Sequence, residues 1–278
     1  QVIDVIAPPG EARPSPPPPE AHPLVKELWE SLQSLSPKNF QEVYHDAFAD
    51  KETLQTLYDL GLVSLRDRAL AEEIFYHIAR RVQAIAQNLP YVPDELEDLE
   101  KLLADKLVCN FSVFQSLPDA WAIHQLFPVV PLSRLLEPPT RRATLVDISC
   151  DSDGKMDRFI DLHDVRQTLP VHPVRPGEPY YLGVFLVGAY QDVLGSNHNL
   201  FGQVGEAHVR VEEEGFAIER FVGGETAERV IEKMGFTARE LMLGVERLVR
   251  RSRLSPAEKG AFLERYAREL QGYTYLED

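Results

Sequence analysis

The chain has 278 residues, of which 44% are hydrophobic and 26% are charged, and its formal net charge is −15. This composition is typical of a globular protein with room for two or more domains. The negative charge argues against nucleic acid as a partner because it repels phosphate backbones, and no run approaches the ~20 apolar residues of a membrane span.

Cysteine usage and the first residues bear on where the protein works. Cys109 and Cys150 are the only cysteines, so a disulfide framework does not stabilise the fold, which predicts a reducing, cytoplasmic compartment. We expect no signal peptide before the first predicted strand, residues 2–6. The chain begins with Gln1 rather than methionine. We therefore expect it to start inside a domain, as a fragment or a processed product.

A proline-rich segment follows the first strand, with eight prolines in residues 7–23. Proline fixes φ and removes a backbone donor, so we expect an extended, polyproline-like linker. A plain spacer is favoured over a ligand for an SH3-type domain. Residues 1–23 are therefore predicted to be a strand remnant and a linker.

Residues 24–110 have the periodicity of amphipathic helices, and their short loops predict an antiparallel bundle. Four helices are predicted, with apolar faces that include Leu28, Val43, Ile74 and Leu99. Ser64 is the predicted N-cap of the third helix, Leu89-Pro90 ends it, and Leu107 belongs to the fourth. A solvated helix face is favoured over a metal site for Glu72, Glu73 and His77.

Short strand patterns, aromatic residues and prolines replace this periodicity after residue 110. Residues 111–223 are predicted to form a β-rich, sandwich-like or barrel-like domain, and residues 224–278 are predicted to be helical. Strands are expected at 143–149, 180–190, 207–212 and 216–222. The predicted fold class is therefore α+β, with a helical bundle insertion, a β-rich domain and C-terminal helices.

A thiol, Cys150, is predicted at the end of an apolar strand, and two carboxylates, Asp151 and Asp153, follow it. The adjacent carboxylates disfavour a thiolate, and no histidine or lysine adjoins the thiol to ionise it, so a thiol acid is favoured over a nucleophile. The carboxylates could hold a guanidinium or ammonium by charge-assisted hydrogen bonds. An ordinary Asp-Ser-Asp-Gly turn remains the alternative. A calcium loop is disfavoured because its first and twelfth positions are not acidic.

Residues 188–190 are predicted to end a second apolar strand, where small residues let a ligand approach the backbone. The hydroxyl of Tyr190 could bind a phosphate, and a core tyrosine is the alternative. The pocket could be extended by three residues of the following loop, His198, Asn199 and Phe201. Cys109 is predicted to be a buried, apolar cysteine. A metal role is disfavoured for three histidines without ligand spacing, His163, His172 and His208.

Five segments together resemble the biosynthetic arginine decarboxylases, which are fold-III pyridoxal phosphate enzymes of the alanine-racemase-like class. They read FSVFQSLPDAW, CDSDG, LVGAYQ, HNLFG and GYTYLED, at 111–121, 150–154, 186–191, 198–202 and 272–278. The resemblance covers essentially the whole chain. It is far more specific than any of these motifs alone.

The resemblance implies a role for each candidate site residue. Cys150 matches the catalytic cysteine, which reaches the active site of the neighbouring subunit. Asp151 matches the carboxylate that binds the distal cationic group of the substrate, and Asp153 is a weaker candidate for the guanidinium. Tyr190 matches the tyrosine that contacts the cofactor phosphate. Pyridoxal phosphate is the implied cofactor, and magnesium is an implied metal without assigned ligands.

The resemblance also implies what surrounds this chain. The family's cofactor-binding TIM-type barrel is absent, so the chain looks like the C-terminal half, with residues 24–107 as the family's helical insertion. The implied partners are L-arginine, the N-terminal barrel half and further copies in a homo-oligomer with shared active sites. The implied reaction gives agmatine and carbon dioxide, for putrescine and spermidine synthesis.

Two alternatives to arginine decarboxylation remain, and activity is not expected from this chain alone. None of its eight lysines has a strand context suited to a Schiff base, so we expect the isolated chain to be inactive. One alternative is a decarboxylase of another basic amino acid or of a carboxylated polyamine. The other is a non-catalytic half that binds or regulates a paralogue.

Overall fold

The computed structural model describes residues 1–9, 13–89, 96, 98–162 and 164–277. The helices are α1 Pro23–Ser34, α2 Phe40–Asp59, α3 Leu65–Ala86, α4 Leu99–Leu102, α5 Val113–Ser116, α6 Pro118–Ala122, α7 Ala189–Leu194, α8 Ala227–Lys233, α9 Ala238–Arg251 and α10 Pro256–Leu270. The strands are β1 Val2–Ile6, β2 Asp105–Cys109, β3 Val129–Pro131, β4 Arg141–Val146, β5 Lys155–Met156, β6 Phe159–Ile160, β7 Val165–Arg166, β8 Leu169–Val171, β9 Leu182–Val184, β10 Glu206–Glu212 and β11 Gly215–Val222. The predictions for Pro90, His163 and Asp278 lie outside the described residues.

Helices α1, α2 and α3 form a bundle around an apolar core, as the periodicity predicts. Leu28, Ile74 and Phe75 are fully buried at its centre. The side chain of Ser64 accepts a hydrogen bond from the backbone of Asp67, which confirms the predicted N-cap of α3. The apolar stripes of the three helices thus face one another and exclude water from a shared interior.

The predicted fourth helix is shorter than expected, and its last apolar residue is not helical. Helix α4 spans only Leu99–Leu102. Leu107 is buried in β2, which pairs with both β1 and β4. Its assignment to the fourth helix is therefore wrong, because backbone pairing on both sides makes this five-residue segment a central strand. The last residues of the predicted 24–110 bundle lie in the sheet.

The main sheet has the order β1-β2-β4, and both β5 and β8 pair with the far edge of β4. Strands β1 and β2 are antiparallel, whereas β2 and β4 are parallel. The chain leaves the sheet after β1, forms the bundle and returns as β2, so the bundle is inserted between two paired strands. The buried Asp105 carboxylate binds the Arg141 guanidinium at 2.7 and 2.9 Å across β2 and β4.

The proline-rich segment contacts the bundle at both of its described ends. Arg80 of α3 donates to the carbonyls of Pro9, at 2.6 Å, and Pro8, at 3.0 Å. Lys26 donates to the carbonyl of Pro19 at 2.5 Å. Carbonyls that an extended proline segment leaves unpaired are thus bound by cationic side chains of the helices.

The predicted strand over 180–190 is mostly not a strand. Strand β9 ends at Val184, and Leu186 has a left-handed φ of 60°. Helix α7 then begins at Ala189. Tyr190 therefore lies in the first turn of a helix rather than at the end of a strand. The predicted hairpin at Glu214-Gly215 is confirmed, because β10 and β11 are antiparallel and Gly215 opens β11 at a φ of 106°.

The architecture is an α+β fold, as predicted, with a helical bundle, open sheets and C-terminal helices. The described strands form one five-stranded sheet and three two-stranded sheets. A closed barrel is not present among them. Within the described ranges, no helix combines the length and apolarity needed to cross a membrane.

Candidate functional site

A loop of residues 147–154 connects β4 to β5 and carries Cys150, Asp151 and Asp153. Backbone hydrogen bonds close the neck of this loop, since Asp147 N donates to Gly154 O at 2.8 Å. Cys150 lies four residues beyond Val146, the last residue of β4. The thiol is therefore within the loop and not at the strand end where the sequence pattern places it.

The buried carboxylate of Asp147 accepts hydrogen bonds that fix the conformation of residues 147–154, the Cys150 loop. One oxygen accepts from the backbone of Val113 at 2.9 Å. The other accepts from the backbone and the hydroxyl of Ser149 at 2.8 and 2.6 Å. A buried carboxylate with this many donors is well satisfied and fixes the segment that leads to the thiol. Asp147 was not among the residues to which the sequence assigned a role.

Gly154 is required at the neck because Asp147 approaches its backbone closely. A Cβ built on Gly154 would overlap the carboxylate of Asp147 and lie 2.5 Å from the hydroxyl oxygen of Ser149. Any larger residue would displace the group that holds the loop. The glycine of the CDSDG motif therefore has a packing role beside its turn role.

Cys150 is a free, exposed cysteine. The side-chain amide of Asn199 donates a hydrogen bond to its sulfur, with an Nδ2–Sγ distance of 3.1 Å. Cys109, by contrast, is buried in β2, and burial raises the pKa of its thiol to about 12. The prediction that Cys109 is a buried, apolar cysteine is confirmed. Cys150 is thus the thiol that a substrate could reach.

Asp151 follows the thiol, and its two carboxylate oxygens have different partners. Oδ1 accepts from the backbone of Asp153 at 2.9 Å, which is the turn-capping bond that the alternative interpretation predicts. Oδ2 lies 3.3 Å from Nε2 of His198. Both side chains are partly exposed. Asp151 therefore caps its turn with one oxygen and presents the other to a cationic or hydrogen-bonding partner.

Asp153 is directed to a different side of the loop. The indole nitrogen of Trp121 lies 3.4 Å from Asp153 Oδ2. The groove beside this carboxylate is also lined by Lys155 and Arg158. Asp153 therefore lies beside a groove that already contains two cationic side chains, whereas Asp151 faces His198.

A row of aromatic rings connects the surroundings of the two carboxylates. The ring of Phe114 packs against Trp121, with centroids 5.2 Å apart, and against His198, at 4.5 Å. The sequence predicted no role for Trp121 and Phe114 beyond the motif that contains them. The sequence feature that could have identified them is the FSVFQSLPDAW segment, because helices α5 and α6 place its aromatic residues beside the Cys150 loop.

A one-turn 3-10 helix at His198–Leu200 brings His198 and Asn199 to the Cys150 loop. The sequence pattern grouped these residues with Tyr190, but the structure joins them to Cys150 and Asp151 instead. Asn199 and Leu200 both have left-handed backbone angles, with φ of 56° and 62°. Such angles are uncommon for residues other than glycine, and least so for asparagine.

The C-terminal segment holds the end of this turn. Thr274 accepts from the backbone of Gly202 at 2.9 Å, and the hydroxyl of Tyr275 donates to Gly202 O at 2.9 Å. The Tyr275 ring stacks on Phe201 with centroids 5.1 Å apart. Burial raises the pKa of Tyr275 well above its usual value, so its hydroxyl stays protonated and able to donate. The GYTYLED segment thus supports the turn that contacts Cys150.

Tyr190 is 78% exposed on α7, so the core-tyrosine alternative is wrong. Helix α7 is fixed by the buried Gln191, which exchanges two hydrogen bonds with Asp119 of α6, at 2.6 and 3.1 Å. Gly188, just before the helix, has open space where a Cβ would be. An exposed phenol beside an unobstructed glycine fits a group that binds a phosphate, as pyridoxal phosphate would require.

The remaining candidates for cofactor or metal binding are the lysines, the histidines and possible clusters of metal ligands. Two of the lysines lie in strands, Lys106 in β2 and Lys155 in β5, and the expectation that no lysine has a strand context suited to a Schiff base stays a prediction. His172 is buried and bonded to the Tyr180 hydroxyl at 2.9 Å and to Glu137 O at 2.8 Å. In the part of the chain that the structure describes, no three or more His, Cys, Asp or Glu side chains cluster as a metal site.

Comparisons with known proteins agree on one group. Residues 18–100 match the arginine decarboxylase helical bundle domain, and residues 227–276 match the arginine decarboxylase C-terminal helical extension. A biosynthetic arginine decarboxylase of Deinococcus radiodurans is 55% identical over 264 residues, covering 93% of this chain and 40% of the relative. One from Nostoc sp. is 43% identical over 99% of this chain and 41% of the relative.

A solved structure shows the same arrangement. The crystal structure of the biosynthetic arginine decarboxylase from Campylobacter jejuni superimposes with a TM-score of 0.82 at 30% identity, over 100% of this chain and 45% of that chain. The chain spans about two fifths of the length of the curated relatives that it matches. The two matched domains and the near-complete alignments show that it belongs to the biosynthetic arginine decarboxylase family.

Proposed function

We propose that this chain is the C-terminal part of an enzyme that converts L-arginine to agmatine and carbon dioxide, for putrescine and spermidine synthesis. The observation that carries the proposal is the pairing of an exposed thiol, Cys150, with a partly exposed carboxylate, Asp151, on one hydrogen-bonded loop. The family relation supplies the reaction. The loop supplies a proton donor and a cation-binding group next to each other.

Each side chain has a distinct task in this proposal. Pyridoxal phosphate, when bound, provides the electron sink for breaking the bond between Cα and the carboxylate. Cys150 gives its proton to Cα after carbon dioxide leaves, as a general acid. Asp151 accepts hydrogen bonds from the substrate guanidinium through Oδ2. Tyr190 holds the cofactor phosphate through its hydroxyl.

The proposal includes a barrel half and a second subunit. The chain covers only part of its relatives, and Cys150 and Tyr190 are both exposed on the part of it that the structure describes. We propose that the cofactor and its lysine are on the N-terminal barrel half, and that Cys150 and Asp151 reach the active site of a neighbouring subunit. Magnesium is part of the family-based proposal, without ligands assigned to it.

The decisive experiment compares the complete enzyme, barrel half included, with the isolated 278-residue chain. Carbon dioxide release is measured with arginine, ornithine, lysine and a carboxylated polyamine. We expect the complete enzyme to prefer arginine and the isolated chain to be inactive. A preference for another substrate would show that arginine is not the substrate of this enzyme. A complete assembly that decarboxylates none of the four compounds would support the alternative of a non-catalytic partner half.

Alkylation of the same complete enzyme tests the site itself, with Cys109 as the internal control. Iodoacetamide should modify exposed Cys150 and spare buried Cys109, whose thiol stays protonated because burial raises its pKa to about 12. Arginine should slow the modification of Cys150. An equal rate of Cys150 modification with and without arginine would show that Cys150 does not lie at the arginine-binding site.

A further inference from the structure

The turn at His198–Leu200 contacts both proposed functional residues of the Cys150 loop, although 49 residues separate Asn199 from Cys150. Asn199 donates to the sulfur, and the neighbouring His198 faces the carboxylate of Asp151. Asn199 and His198 are adjacent in this turn, and each contacts one of two adjacent residues of the Cys150 loop, Cys150 and Asp151 respectively.

The backbone of this turn has an unusual conformation that serves these contacts. Asn199 and Leu200 are consecutive left-handed residues, with φ of 56° and 62°. L-residues rarely adopt this region, and such strain persists only where surrounding contacts hold it. Here the contacts are the Asn197 side chain, which donates to Phe201 O at 2.9 Å, and the C-terminal segment bonded to Gly202.

The chemistry of the Asn199 contact suits a thiol that must deliver a proton. A thiol sulfur is a weak acceptor and its S–H is a weak donor. When an amide N–H occupies a lone pair of the sulfur, the rotation of the S–H bond about Cβ–Sγ is restricted. The amide does not consume the thiol proton, because it donates rather than accepts. The proton therefore stays available for transfer.

The His198 contact acts on the carboxylate rather than the thiol. Asp151 Oδ1 is fixed by the backbone of Asp153, and Nε2 of His198 lies near Oδ2. The imidazole is itself held against the ring of Phe114, at a centroid distance of 4.5 Å. The plane of the carboxylate is thus set from both sides before a guanidinium arrives.

We propose that Asn199 and His198 are positioning residues, with Asn199 orienting the Cys150 thiol for proton transfer and His198 orienting Asp151 for the guanidinium. This inference rests on the proposed function. It predicts a kinetic division between two neighbouring residues, because the thiol acts in the chemical step and the carboxylate acts in recognition. Loss of Asn199 should lower kcat, whereas loss of His198 should raise KM.

The Asn199 test uses the complete enzyme and the variants Asn199→Asp and Asn199→Gly, which both tolerate the left-handed backbone. Losing one hydrogen bond should lower kcat by about tenfold, with KM changed less than about twofold. Agmatine formed per carbon dioxide released should fall below one. Each missing agmatine should appear as the corresponding aldehyde, whose oxygen comes from water while the amino nitrogen stays on the cofactor.

The matched control is Asn88→Asp, which makes the same substitution at an exposed amide that donates to Ala84 O in the bundle. It should retain wild-type kinetics and an agmatine-to-carbon dioxide ratio of one. Thermal unfolding identifies any variant that misfolds, and Asn199→Gly then decides the question without an added charge. A wild-type product ratio in both folded Asn199 variants overturns the role of Asn199.

The His198 test compares His198→Ala with His198→Gln in the same enzyme. Removal of the ring should raise KM for arginine by about tenfold and leave kcat within about twofold. Glutamine should restore most of the loss, because its amide can also donate to Asp151. A lower KM in His198→Ala would mean that His198 competes with the substrate, which overturns the proposed role, as would a loss confined to kcat.

Failure of this inference differs from failure of the proposed function. If the wild-type complete enzyme forms no agmatine, the proposed function itself is wrong. If it forms agmatine and the His198 and Asn199 variants match it, then only their positioning roles are wrong.

Discussion

The bundle and the Cys150 loop are stabilised in opposite ways. Bundle residues such as Leu28 and Phe75 are fully buried within a cluster of apolar side chains. The Cys150 loop has an exposed tip and is held by discrete polar bonds, which converge on Asp147 and on the turn that carries Asn199. Burial makes the bundle robust, whereas the loop depends on the geometry of a few groups.

This difference separates the expected effects of mutation. A truncation in the bundle should lower the free energy of unfolding without a specific change in chemistry. A substitution at the tip of the Cys150 loop should change kinetics and leave stability nearly intact. The first three predictions that follow test this separation in the complete enzyme, and the fourth concerns an ion pair outside both regions.

Cys150→Ala should produce the largest effect. General acid catalysis typically contributes about 100-fold to 10,000-fold, so kcat should fall on that scale. The side chain is exposed, so the unfolding midpoint should stay close to that of the wild type. Stopped-flow kinetics and product analysis check the rate and the agmatine yield. Wild-type rates with clean agmatine would show that Cys150 is only a turn residue.

Phe75→Ala should produce the largest effect on stability. This ring is fully buried and packs against Tyr44 and Tyr76, with centroids 6.2 and 5.5 Å apart. Its loss should destabilise the bundle by about 3–5 kcal/mol through lost transfer energy and a residual cavity. Urea unfolding followed by circular dichroism measures this. Leu89→Ala, on a partly exposed side chain of the same bundle, is the control and should cost far less.

Asp151→Asn should damage recognition more than folding. Charge-assisted hydrogen bonds contribute about 1.5–3 kcal/mol each, so kcat/KM for arginine should fall by about tenfold to 100-fold. The turn should survive, because asparagine keeps an oxygen that can accept from Asp153 N. Steady-state kinetics provide the measurement. An unchanged kcat/KM would leave Asp151 with its turn-capping role alone.

Substitution of Glu225 should produce the smallest effect, and it tests how the free energy of unfolding depends on pH. Burial alone raises the pKa of Glu225, but hydrogen bonds from Lys233 Nζ and Gln203 N, together with nearby cationic charge, lower it below its usual value. A depressed pKa means that the stabilisation is present above the unfolded-state pKa and is lost as the pH falls through the folded-state pKa.

Glu225→Gln should therefore lower the free energy of unfolding by at most about 1 kcal/mol at pH 7, because the Lys233 partner is exposed and solvent screens the ion pair. The wild type should lose this advantage as the pH falls below the unfolded-state pKa of glutamate, about 4.3, so the urea midpoints of the two proteins should converge between about pH 4 and pH 3. A difference that stays constant from pH 7 to about pH 3 would show that the Glu225 charge does not stabilise the folded state.

Local sequence patterns predicted the features that neighbouring residues decide. The apolar spacing of α1, α2 and α3 determines their buried faces, and the Ser64 hydroxyl caps α3 through a contact three residues away. The adjacency of Cys150 and Asp151 is likewise a property of the chain itself. These features need no partner from elsewhere in the molecule.

Only the tertiary structure decided which distant groups meet. Leu107 fits a helical pattern but is in a strand, because β1 and β4 satisfy its backbone from both sides. Tyr190 follows an apolar run but is helical, because Gln191 bonds to Asp119 across 72 residues. Asn199 reaches Cys150 through a left-handed turn that the C-terminal segment supports. Periodicity reports the solvent exposure of neighbouring residues, whereas these pairings depend on the path of the whole chain.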